Sequence, residues 1–388
     1  MAVAEDSWRR LRRLRANPPS LAGAEVDEAR TRVFQAAMTQ AEELWGAASA
    51  VGAASRPLPL FYCLSQAGRA ICAAWTRDGD WRPGRHGITS RFPDQSDSVP
   101  AYGVRVPGPV GMYPAVAAAT DSTTFDGVAT VAELWASLPD LPRPEGFGDD
   151  APLPIHLEAV RVGDGLESPQ ALFARVLAPK HARIVSYPLP PAVYQALEGA
   201  LQDEARLGEV ADSLDGYPTT RGVVPELHTL SGVFGDERAV VLTFPDEGGE
   251  LRSLSSVGDS PPRRTDLGGA GRSSRYAIRP RIGTGDDVPP SQLMTLWALM
   301  YAFSQLARYE PEVWVAALDP DQSAVAVDLE HVLDTALELV PELLVPAATS
   351  GLMPRLLRER MEEERSTTAG PASDTAAAAD GPPADESA

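Results

Sequence analysis

Residues 291–314, SQLMTLWALMYAFSQLARYEPEVW, are the stretch that decides the fold of this 388-residue chain. Two prolines precede it, and its first serine can cap a helix whose opening amides need no intrahelical partner. Its large apolar side chains cover more than half of a helix circumference, which predicts a helix buried on most sides. Pro311 predicts the end of that helix within a few residues of Tyr309. We expect this helix to be the central rod of the fold.

The N-terminal region predicts two long helices that pair with each other. From Glu25 to about Ala53, apolar residues recur every three or four positions with acidic residues between them. The next stretch, PLPLFYCLSQAGRAICAAWT (57–76), opens with proline and carries Gly68, which allows close approach between packed helices. Because only a short loop separates the two patterns, we expect an antiparallel helical hairpin.

The first basic segment, SWRRLRRLR (7–15), has two interpretations. It is either a basic amphipathic anchor for a membrane or RNA, or a short helix whose arginines are solvated or paired with the chain's own carboxylates. The second interpretation is favoured, because a charge run of this length is usually an exposed face.

The middle of the chain, residues 101–282, predicts a mixed α/β region that follows a Gly/Pro-rich loop at 77–100. Helices are expected at 129–138 and 191–205, and residues 246–273 read as a mobile loop. Strands are expected at 101–106, 113–118, 153–162, 182–188, 226–234, 238–245 and 274–282.

The C-terminal region predicts a helix from about Ser323 to Val340 that ends at Pro341, followed by a short helix at 341–361. Residues 362–388 have no aromatic residue and are expected to be disordered. The predicted fold is therefore α+β, with N- and C-terminal helices forming one helical core around a β-containing middle. We expect a single domain over 1–361, with helical parts at 7–76 and 291–361.

Composition excludes several classes of function. A formal charge of −20 argues against broad binding of nucleic acid or anionic membrane, although a local basic site is compatible with it. No apolar run is long enough to span a membrane and none follows the N-terminal arginines as in a signal peptide, so we expect a cytoplasmic protein. Cys63 and Cys72 are about 13 Å apart along one predicted helix, too far for a disulfide. The histidines are scattered and phosphate-loop motifs are missing, so no metal or cofactor is predicted.

Three stretches resemble the YaaC-like proteins, an uncharacterised bacterial family. They are RPLPLFYCLSQAGRAICAAW (56–75) with the following His86-Gly87, VAELWASLPDL (131–141) and SQLARYEPEVW (304–314). They occur in the family's order within residues 7–345. The resemblance implies helical pairs at both ends and a variable α+β middle, and it implies no activity.

Four polar residues form the candidate binding site: Arg69, His86, Arg308 and Tyr309. Arg69 lies within a predicted buried helix and Arg308 at the end of another, and a buried arginine must be paired. These groups either converge on a small anionic ligand, for which a guanidinium fork is well suited, or serve structural roles such as an ion pair with Glu310. The first hypothesis is a non-enzymatic binding or regulatory protein that recognises such a ligand or a protein partner.

A second hypothesis is an RNase of the HEPN class, whose helical bundles use an arginine followed four to six residues later by histidine. Here Arg82 precedes His86 by four positions, with three residues between them, but lies in a Gly/Pro-rich loop and not on a helix. The pattern therefore departs from that class in spacing and in secondary structure. A histidine in a loop can still act as a general base, so His86 with an arginine stays the alternative.

Overall fold

The computed structural model describes residues 2–19, 27–77, 79–92, 98–141, 153–159, 181–184, 189–232, 235–244, 255–256, 275–285 and 288–351. The predicted tail at 362–388, most of the 246–273 loop and the end of the predicted 341–361 helix lie outside these ranges. The helices are α1 (Ala2–Ala16), α2 (Glu28–Ala50), α3 (Pro57–Trp75), α4 (Met112–Ala119), α5 (Val131–Ala136), α6 (Pro191–Gln202), α7 (Leu207–Ser213), α8 (Gln292–Tyr309), α9 (Pro311–Ala317) and α10 (Ala326–Ser350). The strands are β1 (Thr89–Arg91), β2 (Gly103–Arg105), β3 (Ala129–Thr130), β4 (Ile155–Ala159), β5 (His181–Ile184), β6 (Val224–Gly232), β7 (Gly235–Thr243), β8 (Ser255–Ser256) and β9 (Arg275–Ile278).

Helix α8 is the buried centre of the helical region, as the sequence predicts. The Ser291 hydroxyl caps its start by accepting from the Met294 amide, and nearly every side chain from Gln292 to Leu306 is buried. Pro311 cannot continue the hydrogen-bond ladder, so α8 ends at Tyr309 and Pro311 begins α9. The predicted bounds of this helix are therefore confirmed.

Helices α2 and α3 form the predicted hairpin, and α3 packs on α8. Asp27 caps α2 by accepting from the Ala29 amide at 2.7 Å. Helices α3 and α8 pack closely at Gly68, where an added Cβ would lie 2.3 Å from the Trp297 ring. Glycine is therefore required at this crossing, because any side chain would separate the two helices.

Helix α1 packs against α10 and does not present an apolar face to solvent. Trp8 and Leu11 are buried in the helical core. Arg12 binds Glu42 of α2, and Arg10 pairs with Asp6 one turn earlier. The favoured interpretation of this segment is confirmed, since the apolar face that an anchor would need is already occupied.

Helix α10 runs through Pro341, which corrects the prediction that the helix ends there. A proline at 341 lacks the amide that would bond to the carbonyl of Leu337. The Trp45 indole N–H of α2 donates to that carbonyl at 2.8 Å instead. Near the end of α10, the Trp75 indole donates to the Ala348 carbonyl at 3.0 Å. Tertiary hydrogen bonds from the N-terminal helices thus stabilise a helix that local sequence rules would end.

The strand expected at 113–118 is wrong, because those residues belong to α4. Pro114 lies in the first turn of α4, where its missing amide costs no intrahelical bond, and alanines follow it. The helix expected at 129–138 is the two-residue strand β3 followed by α5. Thr130 and Glu133 form a reciprocal capping box at that junction.

Two antiparallel sheets occupy the middle region. The smaller has the order β1-β2-β3, with Thr89 opposite Arg105, and lies against the helical core. The larger has the order β6-β7-β5-β4-β9-β8, and its longest pair runs from Val224 opposite Thr243 to Gly232 opposite Gly235. The chain is therefore α+β, as predicted, with its helices predominant.

The buried apolar residues of the described part form two clusters. The helical core contains residues of α1 to α5, α8, α9 and α10, so the two ends of the chain do meet in one helical core. A second core, which the sequence did not predict, lies between the larger sheet and α6 and α7. Whether residues 1–361 act as one domain stays a prediction.

Arg279, just after β9, joins the two cores. Only 1% of it is exposed. Its Nε donates to the Ser137 carbonyl at 2.8 Å, its Nη1 to the Pro290 carbonyl and its Nη2 to the Thr295 hydroxyl at 2.5 Å. Burial lowers the pKa of Arg279 to about 9, and it has no carboxylate partner among the described residues. This guanidinium group, which directly follows strand β9 of the second core, donates hydrogen bonds to acceptors at the end of α5 and at the start of α8.

Candidate functional site

Helix α3 supplies two of the side chains at the candidate site. Tyr62 and Arg69 are two helical turns apart on this otherwise buried helix, and both are exposed. The sequence analysis placed Arg69 inside a buried helix, which is correct for the helix and wrong for the side chain. Arg69 needs no buried partner, because solvent reaches its guanidinium group.

The loop that carries His86 is fixed by the start of α4. The first two amides of α4, those of Met112 and Tyr113, donate to the carbonyls of Arg85 at 2.7 Å and of His86 at 2.9 Å. The next residue, Gly87, has a φ of +72° and lies against Gly111. A Cβ added to Gly111 would lie 2.3 Å from the Cα of Gly87. This close backbone contact holds His86 in one position.

The His86 ring lies among aromatic side chains of α3 and α8. Its centroid is 5.2 Å from that of Phe61, in an edge-to-face arrangement, and 6.4 Å from that of Tyr301. Phe61 and Tyr301 also contact each other at 5.3 Å. The imidazole therefore sits where the His86 loop, α3 and α8 meet.

Arg308 and Tyr309 reach the same place from the end of α8. The Arg308 Nη1 group donates to the Tyr62 hydroxyl at 3.4 Å. Its guanidinium carbon lies 5.0 Å from the centre of the Tyr309 ring. Tyr309 is 59% exposed and Tyr62 38% exposed. We call the surface formed by Tyr62, Arg69, His86, Arg308 and Tyr309 the arginine–tyrosine patch.

The electrostatics at His86 show which charges surround it. Its pKa is lowered below the usual 6.5, first by burial, then by the positive charge of Arg69 and then by that of Arg308. Both guanidinium groups therefore lie close enough to disfavour a charged imidazole. At pH 7 the lowered pKa favours the neutral form of His86, which can donate or accept a hydrogen bond.

Neither Arg69 nor Arg308 forms an ion pair with a carboxylate of the described ranges. Other arginines of this acidic chain do, as Arg12 does with Glu42 and Arg56 with Asp334. Glu310, which the sequence analysis considered as an ion-pair partner of Arg308, forms no ion pair with it among the described residues. Two cations and a histidine thus share a surface on which neither guanidinium group is ion-paired with a carboxylate among the described residues.

A chain of hydroxyl groups borders the patch. Ser90 and Tyr102 are hydrogen-bonded at 3.1 Å. A hydrogen bond with Ser90 also acts on Tyr301, whose pKa is raised mainly by burial. The carboxylate of Glu310 contributes to the raised pKa of Tyr102, after burial, so Glu310 lies at this border. The border therefore combines hydroxyl donors and acceptors with the carboxylate of Glu310.

A family model described as YaaC-like Protein matches residues 7–156 and 240–347, which is more than half of the chain. The chain belongs to the YaaC-like family. No curated protein and no solved structure matches it. Every residue of the arginine–tyrosine patch lies within the ranges matched by the YaaC-like model.

The RNase alternative pairs Arg82 with His86, but in this YaaC-like chain the Arg82 side chain packs on Trp81. The Arg82 guanidinium carbon lies 4.2 Å from the centre of the Trp81 ring, and Arg82 is not among the charges that lower the pKa of His86. A histidine–arginine pair at this surface would use Arg69 or Arg308.

Other reactive groups of this YaaC-like chain are poorly suited to catalysis. Burial raises the pKa of the Cys63 thiol, and it raises the pKa of Cys72 to about 12. Both cysteines are free and buried, as the sequence predicts. Within the described residues, no group of three or more His, Cys, Asp or Glu side chains could hold a metal ion. None of the described helices combines the length and apolar character needed to cross a membrane.

Sequence reasoning missed Tyr62 and Arg279. Tyr62 lies in an apolar helical pattern, and only the packing of α3 shows that this position faces solvent beside Arg308. Arg279 had a usable signal, since it directly follows the apolar strand residues Tyr276, Ala277 and Ile278. A charge in such a pattern indicates a buried hydrogen-bond network.

Proposed function

We propose that this YaaC-like chain is a non-enzymatic binding protein that recognises a small phosphorylated ligand at the arginine–tyrosine patch. The observation that carries the proposal is that Arg69 and Arg308, from opposite ends of the chain, flank His86 without carboxylate partners among the described residues. We also keep the cytoplasmic location expected from the sequence as part of this proposal.

Electrostatics favour an anion at this surface. Two guanidinium groups near one imidazole repel each other and disfavour its protonation, as the lowered pKa of His86 indicates. A bound phosphate would reverse that repulsion and accept charge-assisted hydrogen bonds from the arginines. The net charge of −20 makes the contrast sharper, because most of this protein's surface would repel the same ligand.

The patch is also held in place before any ligand arrives. The backbone that carries Arg69 and Arg308 belongs to α3 and α8, which pack closely at Gly68, and the His86 loop is joined to α4 by backbone hydrogen bonds. A site whose groups are already ordered loses less entropy on binding. The geometry therefore supports recognition of a small rigid anion such as a phosphate group.

Calorimetric titration with inorganic phosphate, pyrophosphate and ribose 5-phosphate tests the proposal. We expect binding to the parent chain, and a loss of roughly 10- to 150-fold in affinity for Arg69→Ala and for Arg308→Ala, because each removes a charge-assisted hydrogen bond. Arg206→Ala is the matched control. It removes the same charge from an exposed ion pair with Glu209 at the second core and should bind normally. No binding to the parent, or an equal loss in the control, would overturn the proposal.

The second candidate is RNA cleavage, which one observation favours: the lowered pKa of His86 favours its neutral form at pH 7, beside two arginines. A neutral imidazole can act as a general base. Incubation of RNA with the metal-free parent chain and with His86→Ala decides this. Cleavage by the parent that His86→Ala abolishes would establish the RNase, whereas intact RNA in both samples leaves the binding function.

A further inference from the structure

We propose that the ligand carries a planar aromatic ring beside its phosphate, as a nucleoside monophosphate does, and that the tyrosines of the patch bind that ring. This inference rests on the proposed function, because the same arginines hold the phosphate. It adds the chemical class of the ligand to the binding of an anion.

The exposure of the tyrosines is the first observation. Three tyrosines among the described residues are strongly exposed, namely Tyr62, Tyr194 and Tyr309, and two of them lie at the patch. Tyr309 is the most exposed of the three, although it ends a helix that is buried along most of its length. Exposed aromatic side chains of this kind are typical of binding surfaces, because they offer a large rigid contact area.

The position of Arg308 is the second observation. Its guanidinium group lies 5.0 Å from the Tyr309 ring centre and donates to the Tyr62 hydroxyl at 3.4 Å, so both tyrosines orient it. An arginine has five N–H donors, and these contacts leave most of them for a phosphate. A phosphate bound there lies beside the tyrosine rings. A base attached to that phosphate through a ribose then has an aromatic surface within its reach.

The expected gain from the ring is measurable. Stacking of a base on an aromatic side chain changes affinity by roughly 5- to 150-fold when that side chain is replaced by alanine. Stacking tolerates different bases, because every base has a π face. We therefore expect adenosine, guanosine, cytidine and uridine monophosphates all to bind more tightly than ribose 5-phosphate.

The test compares these four nucleotides with ribose 5-phosphate by calorimetry on the full chain. The parent should bind the nucleotides at least about 5-fold more tightly. Tyr309→Ala should remove that advantage, so that the nucleotides bind it no more tightly than ribose 5-phosphate does, whereas Tyr309→Phe should retain it. Tyr194→Ala, at an exposed tyrosine on α6 of the second core, is the matched control and should behave as the parent.

The outcomes separate the two proposals. Equal affinity for ribose 5-phosphate and the nucleotides overturns the aromatic subsite and leaves the phosphate site intact. Binding of adenosine as tight as that of adenosine monophosphate overturns the phosphate site. A nucleotide advantage that survives in Tyr309→Ala also overturns the inference, because the base would then not bind on the Tyr309 ring. Tryptophan fluorescence of each variant verifies that it is folded.

Discussion

The helical core and the second core of this chain are built in different ways. The helical core joins residues that are far apart in sequence, such as Trp45 of α2 and Leu337 of α10. Much of the second core comes from residues 157–239, which lie between the two ranges matched by the YaaC-like model. Its longest strand pair, β6 with β7, is a local hairpin. The region matched by the family model thus contains the long-range framework, and the region between contributes a more local unit.

The arginine–tyrosine patch belongs to the helical core alone. Its residues come from α3, α8 and the loop before α4. All seven tryptophans of the chain, at positions 8, 45, 75, 81, 135, 297 and 314, lie in the matched ranges as well. Tryptophan fluorescence therefore reports on the helical core, and this makes the difference between the two cores experimentally accessible.

Removing the bridge between the cores should have the largest effect. Arg279→Ala leaves the buried Ser137 carbonyl without this donor, removes one of the two donors to the Pro290 carbonyl and opens a cavity at the start of α8. We expect a loss of about 3–5 kcal/mol in the free energy of unfolding. Urea unfolding followed by tryptophan fluorescence should show it, although residue 279 follows a strand of the second core.

Arg206→Ala is the matched control for that prediction. Arg206 pairs with Glu209 at 2.7 Å on the surface of the second core, so its removal should cost less than about 1 kcal/mol. A fluorescence transition that Arg279→Ala leaves unmoved would mean that the helical core does not depend on the second one.

Two glycines on neighbouring helices should respond in opposite directions. Gly68→Ala places a Cβ 2.3 Å from the Trp297 ring, and such overpacking should cost about 1–3 kcal/mol. Gly46→Ala in α2 meets nothing within 4 Å and should stabilise by about 0.5–1 kcal/mol, because alanine favours the helix. Thermal unfolding of both variants measures the difference. Equal shifts would indicate that α3 and α8 are not in close contact at Gly68.

The helical core could be predicted because its patterns are local. The periodic apolar residues, a capping serine and Pro311 together predict both ends of α8 closely. The same rules fail at Pro341, because the Trp45 indole replaces a hydrogen bond that only the tertiary structure supplies. They fail at α4 because its short alanine-rich sequence shows neither helical nor strand periodicity clearly. The second core could not be predicted, since it depends on how strands from β4 to β9 pair.

The candidate site shows the same division. The sequence placed Arg69, His86 and Arg308 in one group, and in the structure the charges of both arginines act on His86 to lower its pKa. The direction in which each side chain points could not be predicted, because it depends on which faces of α3 are covered by α8 and α4. For that reason the exposure of Arg69 and the place of Tyr62 beside Arg308 came only from the structure.

A double-mutant cycle between the ends of the chain should have a smaller effect. Trp45→Phe keeps most of the apolar ring and removes the donor to the Leu337 carbonyl, at a cost of about 1–2 kcal/mol. Pro341→Ala restores a backbone amide to that same carbonyl. Trp45→Phe should therefore cost less in the Pro341→Ala background, and chemical denaturation of the four proteins measures this coupling. Additive effects would show that the indole and the missing amide do not share one acceptor.

The smallest expected effect is on the titration of His86. Its folded-state pKa is lowered, so between that pKa and 6.5 the unfolded chain binds more protons, and the contribution of His86 to stability rises with pH until it is complete above about 6.5. Because much of His86 is exposed to solvent, this contribution is small, and NMR of the imidazole protons is the sharper measurement. His86→Ala assigns the signal.

Arg69→Ala and Arg308→Ala should each raise the pKa of His86 without restoring 6.5, since burial is the larger cause. Bound phosphate should raise it in the parent chain, and Arg206→Ala at the second core should leave it unchanged. A pKa that moves equally in all three arginine variants would show that His86 senses the net charge of the whole protein rather than the two guanidinium groups of the helical core.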